Sequence, residues 1–176
     1  MAKSKSAKET APLESIGQAI RKRLGAVHEV RETVFESSRD CILHCANAIR
    51  AAHRGEFKLS KERVASARAL LDEMDKALEG HDSVRYTGFF HDAQKEYAEA
   101  AITLAMVSGK KVPGPEALGV SDTSYLNGLG EAAGELRRHV LDTIRTGDVS
   151  RCEEIMAMLD DIYAVLVTID LPDSIT

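Results

Sequence analysis

The sequence has no run of 18 apolar residues, and its polar, lysine-rich start lacks the apolar segment of a secretion signal. It therefore gives no support for a membrane-spanning or secreted protein. The three cysteines, Cys41, Cys45 and Cys152, are odd in number and form no CxxC pair, which suits a reducing compartment better than disulfides. We expect a cytoplasmic protein with free thiols.

Several catalytic signatures are also absent. None of the patterns GxxxxGK[ST], GxGxxG after a strand or GxSxG occurs, so nucleotide hydrolysis and serine chemistry lack support. A di-iron helical bundle would need Glu-x-x-His pairs on two helices. Glu135 and His139 are four residues apart, and the six histidines form no ligand cluster that is recognisable from sequence.

The apolar content is sufficient for one domain with a core, since 44% of the 176 residues are hydrophobic. We expect residues 1–11 to form a disordered arm and residues 12–176 a helical domain. The net charge of -5 is uneven, because residues 1–63 carry a net charge of +5 and residues 64–176 one of -10. A basic third can meet phosphate and an acidic remainder can hold divalent metal, although solvated surface charge would also explain the asymmetry.

Helical periodicity and helix punctuation extend along the chain. Helices are predicted over residues 12–54, 61–80, 82–108 and 122–146, followed by one that starts at an S-x-x-E capping box, Ser150 and Glu153, and ends before Pro172. Residues 109–121 contain two prolines and three glycines and are predicted to be a loop. No strand pattern competes, so the fold class is all-α, an array of long antiparallel helices.

The first predicted helix has two contrasting faces. Its apolar arc comprises Ile16, Ala19, Ile20, Leu24, Val27, Val30, Val34, Cys41, Ile42, Cys45, Ala48, Ile49 and Ala52. The opposite arc carries Arg21, Arg39, Arg50 and Arg54 together with acidic residues. This pattern favours either a phosphate-binding surface or a solvated, salt-bridged face. A small monomer has little to cover so long an apolar arc, so we expect a homo-oligomer larger than a dimer.

Four glutamates stand in unusual surroundings. Glu99 is the single charge in residues 98–107, and Glu96 projects from the same side of that helix with no cation four residues before or after it. Glu131 and Glu135 lie four apart among small residues that allow another backbone to come close. Carboxylates gathered at low dielectric either become protonated or collect a hard cation, so the two pairs could converge on Mg²⁺ or Mn²⁺. Helix-surface glutamates that are merely solvated remain the alternative.

Three segments in this order resemble translin and translin-associated factor X: VRETVFESSRDCILHCANAIRAAHRGE, then QKEYAEA, then YLNGLGEAAGELRR followed by TGD. The resemblance covers roughly residues 13–172 and is closest to a compact archaeal form, because the chain ends soon after Pro172. It implies an all-helical fold, assembly into hollow oligomers and binding of single-stranded nucleic acid.

The resemblance also implies a catalytic site. In the factor X type, acids of the QEYxEA and GxxDxxGEL motifs carry catalysis, and the matching positions here are Glu96, Glu99, Glu131 and Glu135, the third of which stands where the family prefers Asp. The implied function is a metal-dependent endoribonuclease on single-stranded RNA, with Glu96, Glu99 and Glu135 as ligands of Mg²⁺ or Mn²⁺, or as bases, and Glu131 in support. A single-stranded RNA- or DNA-binding oligomer without catalysis, dependent on the basic first helix because the chain has no Trp and 5% aromatics, is the alternative. A purely structural helical oligomer is a third possibility.

Overall fold

The computed structural model describes residues 6–169, with side chains from residue 12 onward. Its helices are α1 (Ser6–His53), α2 (Phe57–Ala77), α3 (Asp82–Arg85), α4 (Gly88–Val107), α5 (Pro115–Leu118), α6 (Asp122–Thr146) and α7 (Cys152–Leu166). Residues 6–169 contain no strand, which confirms the all-α prediction. In the same part of the chain, every helix is too short or too polar to cross a bilayer.

Helix ends agree with local punctuation at several places. The prediction for α6 is confirmed at both ends: the Ser121 hydroxyl caps its start by accepting from the backbone N–H of Ser124, and Gly147 closes it with a left-handed φ of 84°. α1 begins at Ser6 and contains Pro12, which was expected in its first turn. Residues 6–11 therefore belong to α1 and not to a disordered arm, while residues 1–5 of the expected arm lie outside the described part of the chain.

Several boundary predictions were wrong. α1 begins at Ser6 instead of residue 12, and α2 spans Phe57–Ala77 instead of residues 61–80. The helix expected over residues 82–108 is divided into α3 and α4, because Thr87 is extended, with ψ of 147°, and Gly88 starts the new helix. The predicted loop contains the short helix α5, which has Pro115 in its first turn. The capping box is not formed: Arg151 is the N-cap of α7, and the Ser150 hydroxyl donates instead to Asp148. α7 ends at Leu166, which agrees with the predicted end before Pro172.

The core is built around α4. α1 packs against α2 and α4, α4 packs against α6, and α6 packs against α7. Every residue from Tyr97 to Val107 is buried, which is why that stretch of sequence is almost uniformly apolar. Side chains on the inner face of α4 are therefore held between helices of low polarity, where an ionised group is costly.

The apolar arc of α1 divides into two halves. From Val34 onward its apolar residues are mostly buried in the core, whereas Ile16, Ile20 and Leu24 are exposed, the last at 63%. The unburied half lies beyond the other helices of the chain, since a helix of 48 residues is more than twice the length of α2 or α4. The structure thus leaves an apolar helix surface of the kind that is covered by another subunit, and the oligomer stays a prediction.

Candidate functional site

The site lies where α4 and α6 come into closest contact, at Gly128. A Cβ atom at position 128 would lie 2.6 Å from the carbonyl oxygen of Lys95 and 2.9 Å from the backbone nitrogen of Glu99. Neither backbone atom can move without displacing α4, so any side chain larger than hydrogen would separate the helices. The expectation that small residues here admit another backbone is confirmed at Gly128, while Gly134 has open space beside it.

This contact brings three of the four predicted carboxylates together. Glu96 and Glu99 of α4 and Glu131 of α6 each offer an oxygen atom, and these oxygens lie within 4.8 Å of one another. We call these three residues the acid cluster. Glu99 is buried at 8% exposure, Glu96 is half-buried and Glu131 is exposed, so the cluster opens from the core toward solvent.

Lys95 supplies a cation to the acid cluster. It lies four residues before Glu99 in the sequence, but its ion pairs are with Glu96 and Glu131. Its Nζ lies 2.7 Å from Oε1 of Glu131 and 3.3 Å from Oε1 of Glu96. Glu96 thus has a counter-ion, although no cation lies four residues before or after it. Helical spacing points from Lys95 to Glu99 and cannot show the contact with Glu131, which Lys95 reaches across the helix interface.

Glu99 keeps the least compensated charge of the cluster. Burial, and after it the charges of Glu96, Glu131 and Glu135, raise the pKa of its carboxyl to about 7, while Lys95 has a smaller opposing effect on that pKa. A carboxyl with this pKa exchanges its proton near neutral pH. Binding of a divalent cation would replace that proton and offset the repulsion among the acids.

Glu135 has basic partners of its own. Its Oε2 lies 2.5 Å from Nε2 of His53 and 3.7 Å from a guanidinium nitrogen of Arg138, so it is paired rather than grouped with the acid cluster. Its charge nevertheless contributes to the raised pKa of Glu99, which places it close to the cluster. The predicted ligand set of Glu96, Glu99 and Glu135 stays a prediction, and the structure groups Glu131 with Glu96 and Glu99, with Glu135 beside them.

His53 is the functional candidate that sequence reasoning missed. The His53-Arg54 pair belongs to the segment that resembles translin, but the resemblance assigned no role to His53. Its side chain is 9% exposed and its ring stacks on that of His139, with ring centroids 5.7 Å apart. Only the tertiary arrangement of α1 and α6 shows that these histidines, 86 positions apart in sequence, are neighbours.

The four predicted arginines do not form one surface. Arg50 and Arg54 line a cleft between the end of α1 and α6, whereas Arg39 lies over the ring of Phe35, with 5.9 Å from its guanidinium carbon to the ring centroid. Arg21 lies on the exposed first half of α1. Their proposed contacts with nucleic acid stay predictions, and the structure separates them into at least two surfaces.

The acid cluster fits a hard divalent cation by its donor chemistry. Carboxylate oxygens are the ligands that Mg²⁺ and Mn²⁺ prefer, and three of them converge here with one buried and poorly compensated. Two oxygens on one Mg²⁺ are at most about 4.2 Å apart, so a pair of cluster oxygens at the 4.8 Å limit would have to approach by about 0.6 Å. Side-chain rotation at the exposed Glu131 can provide such a change.

Comparison with solved structures identifies the fold. The chain superposes on apo-NeC3PO with a TM-score of 0.81 at 19% identity, covering 89% of this chain and 83% of that one. AfC3PO and its complex with duplex RNA each give a TM-score of 0.80 at 26% identity over 89% of this chain, covering 82% and 81% of those chains. The resemblance to the translin family inferred from sequence is confirmed: the protein has the translin-like fold of these C3PO structures.

Comparison of the sequence with known proteins finds a relative of low identity. No family model matches the chain. An uncharacterised protein of Methanocaldococcus jannaschii is 25% identical over 146 residues, which cover 80% of this chain. The chain spans 63% of the length of that relative.

Proposed function

We propose that the protein is an RNA-binding endoribonuclease that depends on Mg²⁺ or Mn²⁺, with its reaction centre at the acid cluster. The observation that carries the proposal is the convergence of Glu96, Glu99 and Glu131 on one point, with Glu99 buried in an apolar helix. A buried acid beside two others is costly unless a cation or a proton compensates it. The same positions match the catalytic motifs of the factor X type.

Each residue of the proposed site has a separate task. Glu96, Glu99 and Glu131 would hold the cation, and when bound it would supply the Lewis acid that activates water and stabilises the leaving oxygen of a phosphodiester. His53 contacts Oε2 of Glu135 and fixes its orientation, and Arg138 lies 3.7 Å from the same oxygen. Glu135 is then positioned to accept a proton from the attacking water as a general base.

The proposed substrate is RNA, bound as a single strand. One solved relative, AfC3PO, has been seen in complex with duplex RNA, which supports RNA as the ligand class for this fold. The arginines of α1 and α6 offer charge for phosphate binding, whereas four tyrosines and four phenylalanines give few surfaces for base stacking. We propose a single strand because the resemblance to the translin family implies it, and we make duplex RNA a comparison in the test.

A binding protein without catalysis is the second candidate. The observation that favours it is the pairing of Lys95 with Glu96 and Glu131, because this ammonium group already compensates part of the acid cluster. Glu131 also stands where the family pattern prefers Asp, and its carboxylate is one methylene further from the backbone.

One experiment separates these candidates. Labelled single-stranded and duplex RNA of the same sequence are incubated with the protein in EDTA, in Mg²⁺ and in Mn²⁺, and both binding and product are measured. The proposal expects product with either cation, none in EDTA and none from Glu99→Gln, whose binding should be unchanged. Binding without product under every condition would establish the second candidate. Faster cleavage of the duplex would overturn the single-strand assignment alone.

A further inference from the structure

A cleft with a strongly basic lining lies between the end of α1 and the C-terminal half of α6. It encloses about 480 Å³ and is lined by Arg50, His53, Arg54, Arg138, His139, Asp142, Thr143, Arg145 and Thr146. We refer to it as the basic cleft. Four guanidinium groups thus surround a space in which Asp142 supplies one carboxylate.

The charge of the basic cleft is only weakly neutralised. Arg138 lies 3.9 Å from the Asp142 carboxylate and 3.7 Å from that of Glu135, and Arg145 lies 3.8 Å from Asp142. These distances are longer than a hydrogen bond, so N–H groups of both arginines remain available to a ligand. Arg54 is held by Glu56 at 2.7 Å outside the lining. Burial, followed by the neighbouring His53 and Arg151, lowers the pKa of His139 below its ordinary value, so the arginines supply the positive charge at neutral pH.

The basic cleft continues the surface that carries the acid cluster. Glu131, Arg138 and Arg145 are spaced seven residues apart on α6, so they lie on one face, with about 10 Å of helix axis between successive members. His53 lies between the two sites, since it lines the cleft while its Nε2 contacts Glu135, which lies beside the acid cluster. One face of α6 therefore changes from acidic at Glu131 to basic at Arg138, about two helical turns further on, and stays basic at Arg145.

We propose that the basic cleft binds a backbone phosphate of the RNA strand next to the linkage that is cleaved, with Arg138 and Arg145 as its principal ligands. This inference rests on the proposed function and adds that the RNA strand lies along one face of α6. Paired guanidinium groups match phosphate by bidentate hydrogen bonds, and a strand lying along this face would present one phosphate at the acids and a neighbour at the arginines. A phosphate held there fixes the register of the strand without any base contact.

Binding in EDTA tests the basic cleft independently of cleavage. Arg145→Gln and Arg138→Gln each remove one charge from the cleft, and Arg137→Gln removes the same charge from the adjacent exposed position, which is not part of its lining. The affinity for a single-stranded RNA is measured by anisotropy at several salt concentrations. The two cleft variants should bind several-fold more weakly, and the slope of log K against log salt should fall by about 0.7 for each lost phosphate contact. Equal slopes in all three variants and the parent protein would overturn the proposal.

Neutral linkages then locate the phosphate relative to the cut. RNA strands that carry a single uncharged methylphosphonate, moved one linkage at a time, are treated with each protein and Mn²⁺. A neutral linkage beside the cut should slow cleavage by the parent protein and by Arg137→Gln, and should have no further effect on Arg145→Gln. If that linkage slowed all three proteins equally, the cleft would not hold the phosphate. If the parent protein made no product, the proposed function would fail while the salt slope still decided whether the cleft binds phosphate.

Discussion

The Nε2 atom of His53 lies 2.5 Å from Oε2 of Glu135 and joins the last residue of α1 to the middle of α6. A carboxylate can only accept, so Nε2 carries the hydrogen of this bond. The contact is part-buried and unites residues 82 positions apart in sequence. It therefore holds the end of α1 against α6 and fixes the direction of the Glu135 carboxylate.

Replacement of His53 by alanine should lower the free energy of unfolding by about 2 kcal/mol, because Glu135 loses a charge-assisted hydrogen bond in a partly desolvated position. Urea denaturation at one protein concentration measures the change. His28→Ala is the matched control, since its side chain is 70% exposed and lies 3.9 Å from Glu32. That control should change stability by less than about 0.5 kcal/mol. Equal losses in the two variants would show that the His53 contact has no special weight.

Replacement of Glu99 by glutamine should abolish cleavage, leave RNA binding intact and raise stability without metal at pH 8 by about 1 kcal/mol. The sign follows from the pKa of about 7 in the folded protein, above the ordinary value of 4.5. Below pH 4.5 the acid is protonated whether folded or unfolded, and the folded protein loses stability as pH rises through 7. The advantage of the glutamine variant should therefore be absent at pH 4.5 and complete above pH 7.

Glu73→Gln makes the same chemical change at an exposed position of α2 and should give no pH-dependent difference. Thermal melts of the three proteins across this pH range, with EDTA, measure the effect. A lower melting temperature for Glu99→Gln at pH 8, with cleavage retained, would assign Glu99 to an ordinary ion pair.

Replacement of Lys95 by glutamine should strengthen Mn²⁺ binding several-fold, because the ammonium group 2.7 Å from Glu131 occupies a position that competes with a cation. Isothermal titration calorimetry measures the affinity. Lys58→Gln, at an exposed position of α2, removes the same charge away from the acids and should leave it unchanged. Weaker Mn²⁺ binding by the Lys95 variant would mean that Lys95 organises the carboxylates instead of competing for them.

Replacement of Gly128 by alanine should destabilise the protein by about 1–3 kcal/mol, because the new methyl group meets backbone atoms of Lys95 and Glu99. The acid cluster should be disturbed too, so Mn²⁺ affinity should fall. Gly134→Ala is an informative control on the same helix, because its new methyl group would meet nothing within 4 Å and alanine favours the helix by about 0.5–1 kcal/mol. The two substitutions should therefore shift stability in opposite directions, and a gain at position 128 would contradict the close helix contact.

The protein should scatter light as an assembly larger than a dimer, because the first half of α1 exposes Ile16, Ile20 and Leu24. Ile20→Glu should reduce the measured mass, while Gln18→Glu, which adds the same charge to an exposed polar position, should leave it unchanged. A monomeric mass for the parent protein at micromolar concentration would refute the predicted oligomer.

Local patterns were sufficient for the helices. The extent of α6 follows from Ser121 and Gly147, and the apolar stretch of α4 follows from composition, because capping and burial leave direct traces in adjacent residues. Less distinct signals gave errors, as at Thr87, where no proline marks the break between α3 and α4. The failed capping box at Ser150 shows that a matching pair of residues does not fix the backbone they would need.

The sequence by itself determined the all-α fold class, the family resemblance and the four acids worth examining, because helical period and motif order are one-dimensional properties. Only the tertiary structure decided that Glu96, Glu99 and Glu131 lie together while Glu135 is paired with His53. The proximity of Lys95 to Glu131, and of His53 to Glu135, depends on how closely α4, α6 and α1 pack, and Gly128 sets the first of these approaches. Electrostatic energy depends on distances of a few ångströms between groups far apart in sequence, and helical spacing carries no information about such distances.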